Sequence, residues 1–391
     1  MILFAPLACA PGGSDEIRLH TVSRDSAGIR IIENAKPPEG SRMWRVGPES
    51  SVSIGEREGG DPYMLHQARD ATKLDDGRIL VANGGDDELR VFDASGIWLE
   101  SWGGRGEGPG EFGDLSHVDS WARDSIVAWS GPGSSISVFD SEGNFGRSFT
   151  LEPIHDGPFG GYVFPAAVTA TGSILAGQIP EVFDKVVVEL RDAEGRLLSS
   201  LGEHPGIEHH RVEVISGSAR GVAMYEVIFG PTVAQVPWGD LVVHSLSDRY
   251  EIKAFAEDGT LARIVRRDHA SRPPTAEEVA DYIEERVSKH PDNLMAEQRK
   301  QYQSVPVAEF MPAFTSIIVD RLHHLWVEEY ELPGEEWPGS LWTVFDPEGR
   351  VLGFVETPEG LEIYEIGEDY ILGRSLDELD VEHVQVWPLE R

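Results

Sequence analysis

Asp76-Gly77-Arg78-Ile79-Leu80-Val81-Ala82-Asn83 is followed by Leu89-Arg90-Val91-Phe92-Asp93-Ala94-Ser95-Gly96 and then by Leu99-Glu100-Ser101-Trp102-Gly103. These are three apolar runs of period-two character, each ended by turn residues. Such runs are half-buried strands. Together with one more strand they make a small antiparallel sheet of about forty residues. One such sheet cannot bury both faces by itself, so copies of it must be stacked.

The copies are found by their turn, an Asp-x-x-Gly after an apolar strand. It stands as Val91-Phe92-Asp93…Gly96, Val138-Phe139-Asp140…Gly143 and Glu189-Leu190-Arg191-Asp192…Gly195. It recurs as Lys253-Ala254-Phe255-Ala256…Gly259 and Val344-Phe345-Asp346…Gly349. The turn glycines are 47, 52, 64 and 90 residues apart. A repeat unit needs about 40–45 residues, so the last two intervals contain insertions. After Gly360 the chain has three strand patterns, Leu361–Ile366, Tyr370–Gly373 and Val381–Trp387, and no fourth. Near the start, Val52-Ser53-Ile54-Gly55 has the pattern of an outer strand without its sheet. Joining the two ends completes a sixth sheet and closes a ring, which leaves no open edge. The reading is an all-β, six-bladed β-propeller closed by an N-terminal strand.

The link Gly103-Gly104-Arg105-Gly106-Glu107-Gly108-Pro109-Gly110-Glu111-Phe112 resembles the glycine-rich link of NHL-type repeats. With Asp-Gly-Arg-Ile and Val-Phe-Asp it is similar to the six-bladed propellers common in bacterial envelopes. The resemblance covers residues 28–391. It implies the fold, and little about activity, because this fold carries binding proteins, scaffolds, lactonases and lyases.

Residues 1–27 read as a signal remnant and linker. Cys9 follows the apolar run Met1–Ala8 and precedes Ala10-Pro11-Gly12-Gly13-Ser14-Asp15. This resembles the end of a bacterial lipoprotein signal, which implies an envelope protein held to the membrane through lipid on Cys9. Ala8-Cys9-Ala10 also fits the small-x-small pattern of ordinary signal cleavage. A cytoplasmic chain is the third possibility. A start placed too far downstream accounts for the short front of the run. With Cys9 the single cysteine, no internal disulfide forms.

The net charge is −35, from 33 basic and 68 acidic residues, which repels phosphate backbones and excludes nucleic acid as a partner. A monomer is expected. Residues 203–225 read as a long loop or an added hairpin. Pro273-Pro274-Thr275-Ala276-Glu277-Glu278 opens a helix, with Thr275 and Glu278 spaced as a capping box. Residues 274–304 are therefore a helical insertion between blades four and five. Val279, Ile283 and Val287 share its apolar face. The expectation is that it lies across the channel mouth, as a lid or as packing.

Candidate site residues come from matching positions just before or within the inner strands. These are His66, His117, Phe164, Phe229, Phe314 and Tyr364, read as a polar and aromatic lining for a ligand. His66 and His117 hold a metal only if Asp119 or Glu362 supplies a third donor, and no metal or cofactor is assigned. The glycine-rich link is not spaced for phosphate and no helix follows it, so it reads as a turn with positive φ. Asp86-Asp87-Glu88 and Glu335-Glu336 read as solvated loops, and His323-His324 as a turn on the opposite face. No Gly-x-Ser-x-Gly or His-Glu-x-x-His motif is present. The first functional expectation is a non-catalytic envelope binding or scaffold protein that presents its loops to a protein, peptide or glycan. The alternative is a metal-assisted hydrolase or lyase at the channel mouth.

Overall fold

The computed structural model describes residues 21–391 except 39, 122–123, 131–134, 155–162, 180–181 and 217–218. It is a six-bladed propeller. Blade one is Ala68–Lys73, Ile79–Asn83, Glu88–Phe92 and Trp98–Gly103. Blades two, three, four and five start at Leu115, Phe164, Val233 and Phe314, each with four antiparallel strands of its own. Blade six has Glu362–Ile366, Tyr370–Leu376 and Glu382–Glu390, and Val52–Ile54 pairs with the last of these. The register sets Ile54 opposite Val384 and Val52 opposite Val386. Closure by the N-terminal strand is as the sequence implies.

Six apolar clusters lie between consecutive blades. Blades one and two share Leu80, Leu89, Trp102, Phe112, Leu115 and Phe139, for example. Blades six and one share Ile54, Ile79, Phe92, Leu372 and Val384. The core is thus a ring of interfaces, and Trp102, Trp129, Trp326 and Trp342 are all buried in it.

The repeated turn has one physical design. Asp93 Oδ1 accepts the amides of Ser95 and Ile97, both at 2.9 Å. Asp140, Asp192 and Asp346 do the same for residues two and four ahead. The glycine that follows takes a left-handed φ of 82–88° in all five copies. It also sits against the outer strand of the preceding blade. A Cβ on Gly143 would strike the Trp102 indole, and one on Gly349 would press on Val265. Glycine is therefore needed twice at this position, for its φ and for the close approach.

The sequence reading ends the linker at residue 27, whereas the structure has a strand already at Thr21–Ser26. Thr21–Ser26 and Ile29–Asn34 form a hairpin, and Ile29–Asn34 pairs in parallel with Leu261–Arg267. Blade four thereby becomes a six-stranded sheet. Asn34 ties it to blade five, donating to the Gly349 carbonyl at 3.0 Å and accepting from the Val351 amide at 2.9 Å. Arg42 then bridges to Phe354 of blade five, and Arg45–Val46 pairs with Leu389–Glu390 of blade six. Cys9 lies outside the described residues.

Two insertions rise from one face. The segment 203–225 is a hairpin, His209–Ser216 with Ala219–Glu226, ahead of blade four. Helices α1 (Ala276–Ser288) and α2 (Asp292–Tyr302) stand between blades four and five. The capping box forms as its spacing implies: Glu278 N donates to Thr275 Oγ1 at 3.2 Å, and Thr275 N to Glu278 Oε2 at 2.7 Å. Ile283 and Val287 are buried and Val279 partly so, against Ile228, Phe229 and Met311. The helices thus seat on the connections of blades four and five. Among the described residues the apolar cluster that holds them draws on the connections of blades four and five and on none of blades one, two or six, so the expected placement across the channel mouth is replaced by one over this sector.

The two demands on the turn glycine can be separated. Gly239 has a φ of 63° and open space around it, whereas Gly143 adds the Trp102 contact to its φ of 82°. Gly239→Ala should cost about 1 kcal/mol, and Gly143→Ala about 2–4 kcal/mol with the overpacking added. Urea unfolding of the two variants measures the difference, and equal losses would refute the close-approach role.

Candidate functional site

Inner strands of a propeller line its channel, with alternate residues facing it. In blade two these are His117 and Asp119. His117 Nδ1 is in contact with the Asp70 carboxylate of blade one. Asp70 is itself fixed by backbone donors, Ala71 N at 2.8 Å and Val118 N at 3.1 Å. The imidazole stacks on Trp129 with ring centroids 3.7 Å apart. Its Nε2 is buried and has no partner. Burial opposes protonation of His117, but the Asp70 charge outweighs it and holds the pKa above the ordinary value.

Asp119 lies two residues on. Burial, together with the charges of Glu365 and Asp70, pushes its carboxyl up to about 7, against the pull of His117. Glu365, from blade six, is fully engaged. It accepts from Thr72 Oγ1 at 2.6 Å, pairs with Arg321 Nε at 3.1 Å, and accepts from the Tyr370 hydroxyl. Asp70 and Glu365 are thus inter-blade struts, while Asp119 faces a cavity of about 530 Å³ with His117, Trp121, Ile317, Arg321 and Tyr364.

The six residues singled out from the sequence do not form one ring. His117 and Tyr364 line that channel cavity. His66 is exposed on the rim, 3.4 Å from Asp86, beside a different cavity walled by Arg374 and Glu382. Phe229 is packed under α1 against Tyr282, and Phe314 is fully buried between blades four and five. Phe164 is half-buried at the start of blade three. The histidines are engaged by different aspartates, and Glu362 pairs with Arg374 at 2.6 Å. Among the described residues, no three His, Cys, Asp or Glu side chains come together as metal donors.

Other acidic and glycine-rich motifs are structural. Asp87 accepts the Leu115 amide and pairs with Arg105, both at 2.9 Å, joining blades one and two. Asp86 and Glu88 hold the buried Arg90. This run is therefore a set of ion-pair struts rather than a solvated loop. In the glycine-rich link, Gly103, Gly104 and Gly110 have positive φ, and the Gly106 and Phe112 amides bond within the link. His323 takes the left-handed turn position at a φ of 63°, where blade one has Gly77. Asp70, Glu365 and Arg321 are site residues that sequence reasoning missed. The available signal was a charged residue inside an otherwise apolar inner strand, as in Ala68-Arg69-Asp70-Ala71.

The opposite face holds the largest cavity described, about 960 Å³. Its walls include Ile207, Val227, Ala308 and Phe310, with Asp184, Glu208, Asp248 and Glu309 against Lys185 and Arg249. The hairpin and helices brace each other beside it: Tyr225 and Tyr302 meet edge to face at 4.9 Å, and the Tyr225 hydroxyl donates to Gln298 at 3.1 Å.

No family model and no curated protein matches the chain. Solved structures do. A protein from Bacteroides fragilis described as exported is 12% identical, with a TM-score of 0.51 over 92% of this chain and 99% of its own. A DUF4221-family member from Bacteroides vulgatus is 10% identical, with a TM-score of 0.46 over 90% and 99%. The virginiamycin B lyase of Staphylococcus aureus is 10% identical, with a TM-score of 0.38 over 89% and 97%. At these identities the likeness is one of fold. Among the described residues, no helix is long and apolar enough to cross a membrane.

The Asp119 carboxyl titrates near 3.8 in an unfolded chain and about 7 in the fold. The native state therefore holds the extra proton between those values, and stability falls as pH rises through that window. Asp119→Asn should stabilise the protein at pH 8 by roughly 1–3 kcal/mol, and the gain should vanish near pH 4. Denaturant midpoints at the two pH values measure it, and a loss of stability at pH 8 would contradict the assignment.

Proposed function

We propose that this is an exported, non-catalytic binding protein of the bacterial envelope, with an NHL-like propeller as its scaffold and Cys9 as its lipid attachment. Its ligand is a protein, peptide or glycan held on the face that carries the hairpin and helices. One observation carries the reading: two separate insertions lean on each other on that face and flank the 960 Å³ cavity. Loops carried by a rigid scaffold are where binding functions concentrate.

The chemistry of the cavity supports a partner rather than a reaction. Apolar Ile207, Val227 and Phe310 sit among charged rims, and Phe310 is 43% exposed. An apolar centre with a polar rim is the anatomy of an interface. The net charge of −35 favours a partner with a basic surface. The fold likeness to a Bacteroides protein described as exported agrees with an envelope location. A lipid on Cys9 would keep the binding face near the membrane without a spanning helix.

A photo-crosslinking residue at position 310 should capture a defined partner in envelope extracts. The same residue at Ser141, on the opposite face, should not. Equal capture at both positions, or none at 310, would overturn the placement. Cys9→Ser should release the protein from the membrane fraction, and unchanged fractionation would refute the anchor.

A further inference from the structure

The channel end opposite the insertions has its own chemistry. The cavity of about 530 Å³ there is walled by apolar groups, Val168, Val236, Ile317 and Val319 among them. Trp121 and Tyr364 line it with their polar atoms tied off, and the Arg147 guanidinium lies over the Trp121 ring at 5.7 Å. Trp121 Nε1 donates to the Gly172 carbonyl at 2.9 Å, and the Tyr364 hydroxyl donates to the Ala68 carbonyl. Asp119 lies in this wall and also in that of an adjoining cavity of about 430 Å³.

Charge accounting isolates Asp119. On blade one, Asp70 pairs with His117, and the Lys73 ammonium lies over the Tyr370 ring at 4.1 Å. On blade five, Arg321 is held by Glu365 at 3.1 Å and Asp75 at 3.4 Å. His323, in the same wall, occupies the turn after Arg321. In the adjoining cavity, Asp76 pairs with Arg78 at 2.7 Å, and Asp124 lies beyond Asp119. The inner strands of blades three and four, Phe164–Val168 and Val233–Trp238, carry no ionisable side chain. Among the described residues Asp119 makes no ion pair, and His117, two residues away and committed to Asp70, is the cation whose charge acts on it.

We infer that this cavity is a second ligand site, for a small organic cation with an ammonium or guanidinium head on Asp119 and an apolar body along the channel wall. The Tyr364 ring in the same wall suits such a head, since cations are attracted to aromatic rings. Burial of the apolar body supplies the remaining affinity. The raised pKa of Asp119, about 7, agrees with a buried carboxylate near the like charges of Glu365 and Asp70. A bound cation lowers it again, so binding is linked to proton release.

The test uses calorimetry of the full chain with phenethylamine, and phenylacetate as the charge-reversed control. Phenethylamine should bind and phenylacetate should not. Near pH 7 binding should release a fraction of a proton, seen as a buffer-dependent heat. Below pH 7 the affinity should fall about tenfold per pH unit, as ionised Asp119 becomes scarce. Asp119→Asn should weaken binding at least tenfold and remove the proton release, with the fold checked by its denaturation midpoint. Absence of phenethylamine binding at millimolar concentration would overturn the inference. So would equal binding of phenylacetate, or an affinity that Asp119→Asn leaves unchanged.

Discussion

Five of the six blades make the same close contact with a neighbour, the turn glycine against the preceding outer strand. Gly96 meets Val52 and Ile54, Gly143 meets Trp102, Gly195 meets Thr150, Gly259 meets Leu201 and Gly349 meets Val265. In four of the five an Asx turn before the glycine sets its conformation, with Ala256 in that place in blade four, so the local hydrogen bonds and the inter-blade packing are one device. Apolar clusters then fill the wedge between blades, and each sheet gains its second buried face only from the next. The first contact shows the consequence for closure. Gly96 of blade one rests on a strand that belongs to blade six and comes from the other end of the sequence.

Closure is therefore spread over a long N-terminal segment. Before reaching blade six it pairs with the outer strand of blade four and bonds to the blade-five turn through Asn34. It then bridges to Phe354 and pairs with the last residues of the chain. Three blades are held by one strand of backbone, in addition to their mutual packing. Asn34 is 3% exposed and its amide and carbonyl groups are satisfied by both blades, so it acts as a polar rivet within an apolar seam.

What could be read in the sequence was what repeats. The Asp-x-x-Gly turns, the orphan strand at Val52 and the capping box at Thr275 all carry local signals, and each has the structure its residues imply. The attachment of Ile29–Asn34 to blade four carries no such signal, because its partner is some 230 residues away and the pairing is parallel. Matching His66 with His117 failed to unite them for a different reason. His66 lies two residues before the inner strand of blade one, whereas His117 lies inside that of blade two; by register the counterpart of His117 is Asp70, each following a bulge, at Arg69 and at Ser116. Hence Asp70, rather than His66, meets His117. The Asp86-Asp87-Glu88 run was misread because its partners Arg90 and Arg105 are identified only by the fold.

The two faces differ for reasons built into the repeat. On the face of the Asx turns the connections are short and the glycines are pressed against neighbouring blades, so insertion there would break the stacking. The connections between blades run over the other face, free of that constraint, and both long insertions are placed there. The channel joins the two faces, and its wall is ionic only in one sector. Asp70, His117, Asp119, Glu365 and Arg321 all belong to blades one, two, five and six, while blades three and four present apolar inner strands. The hairpin and helices stand above the sector of blades four and five. The charged struts thus come from blades one, two, five and six, and the long insertions rise from the connections that lead into blades four and five.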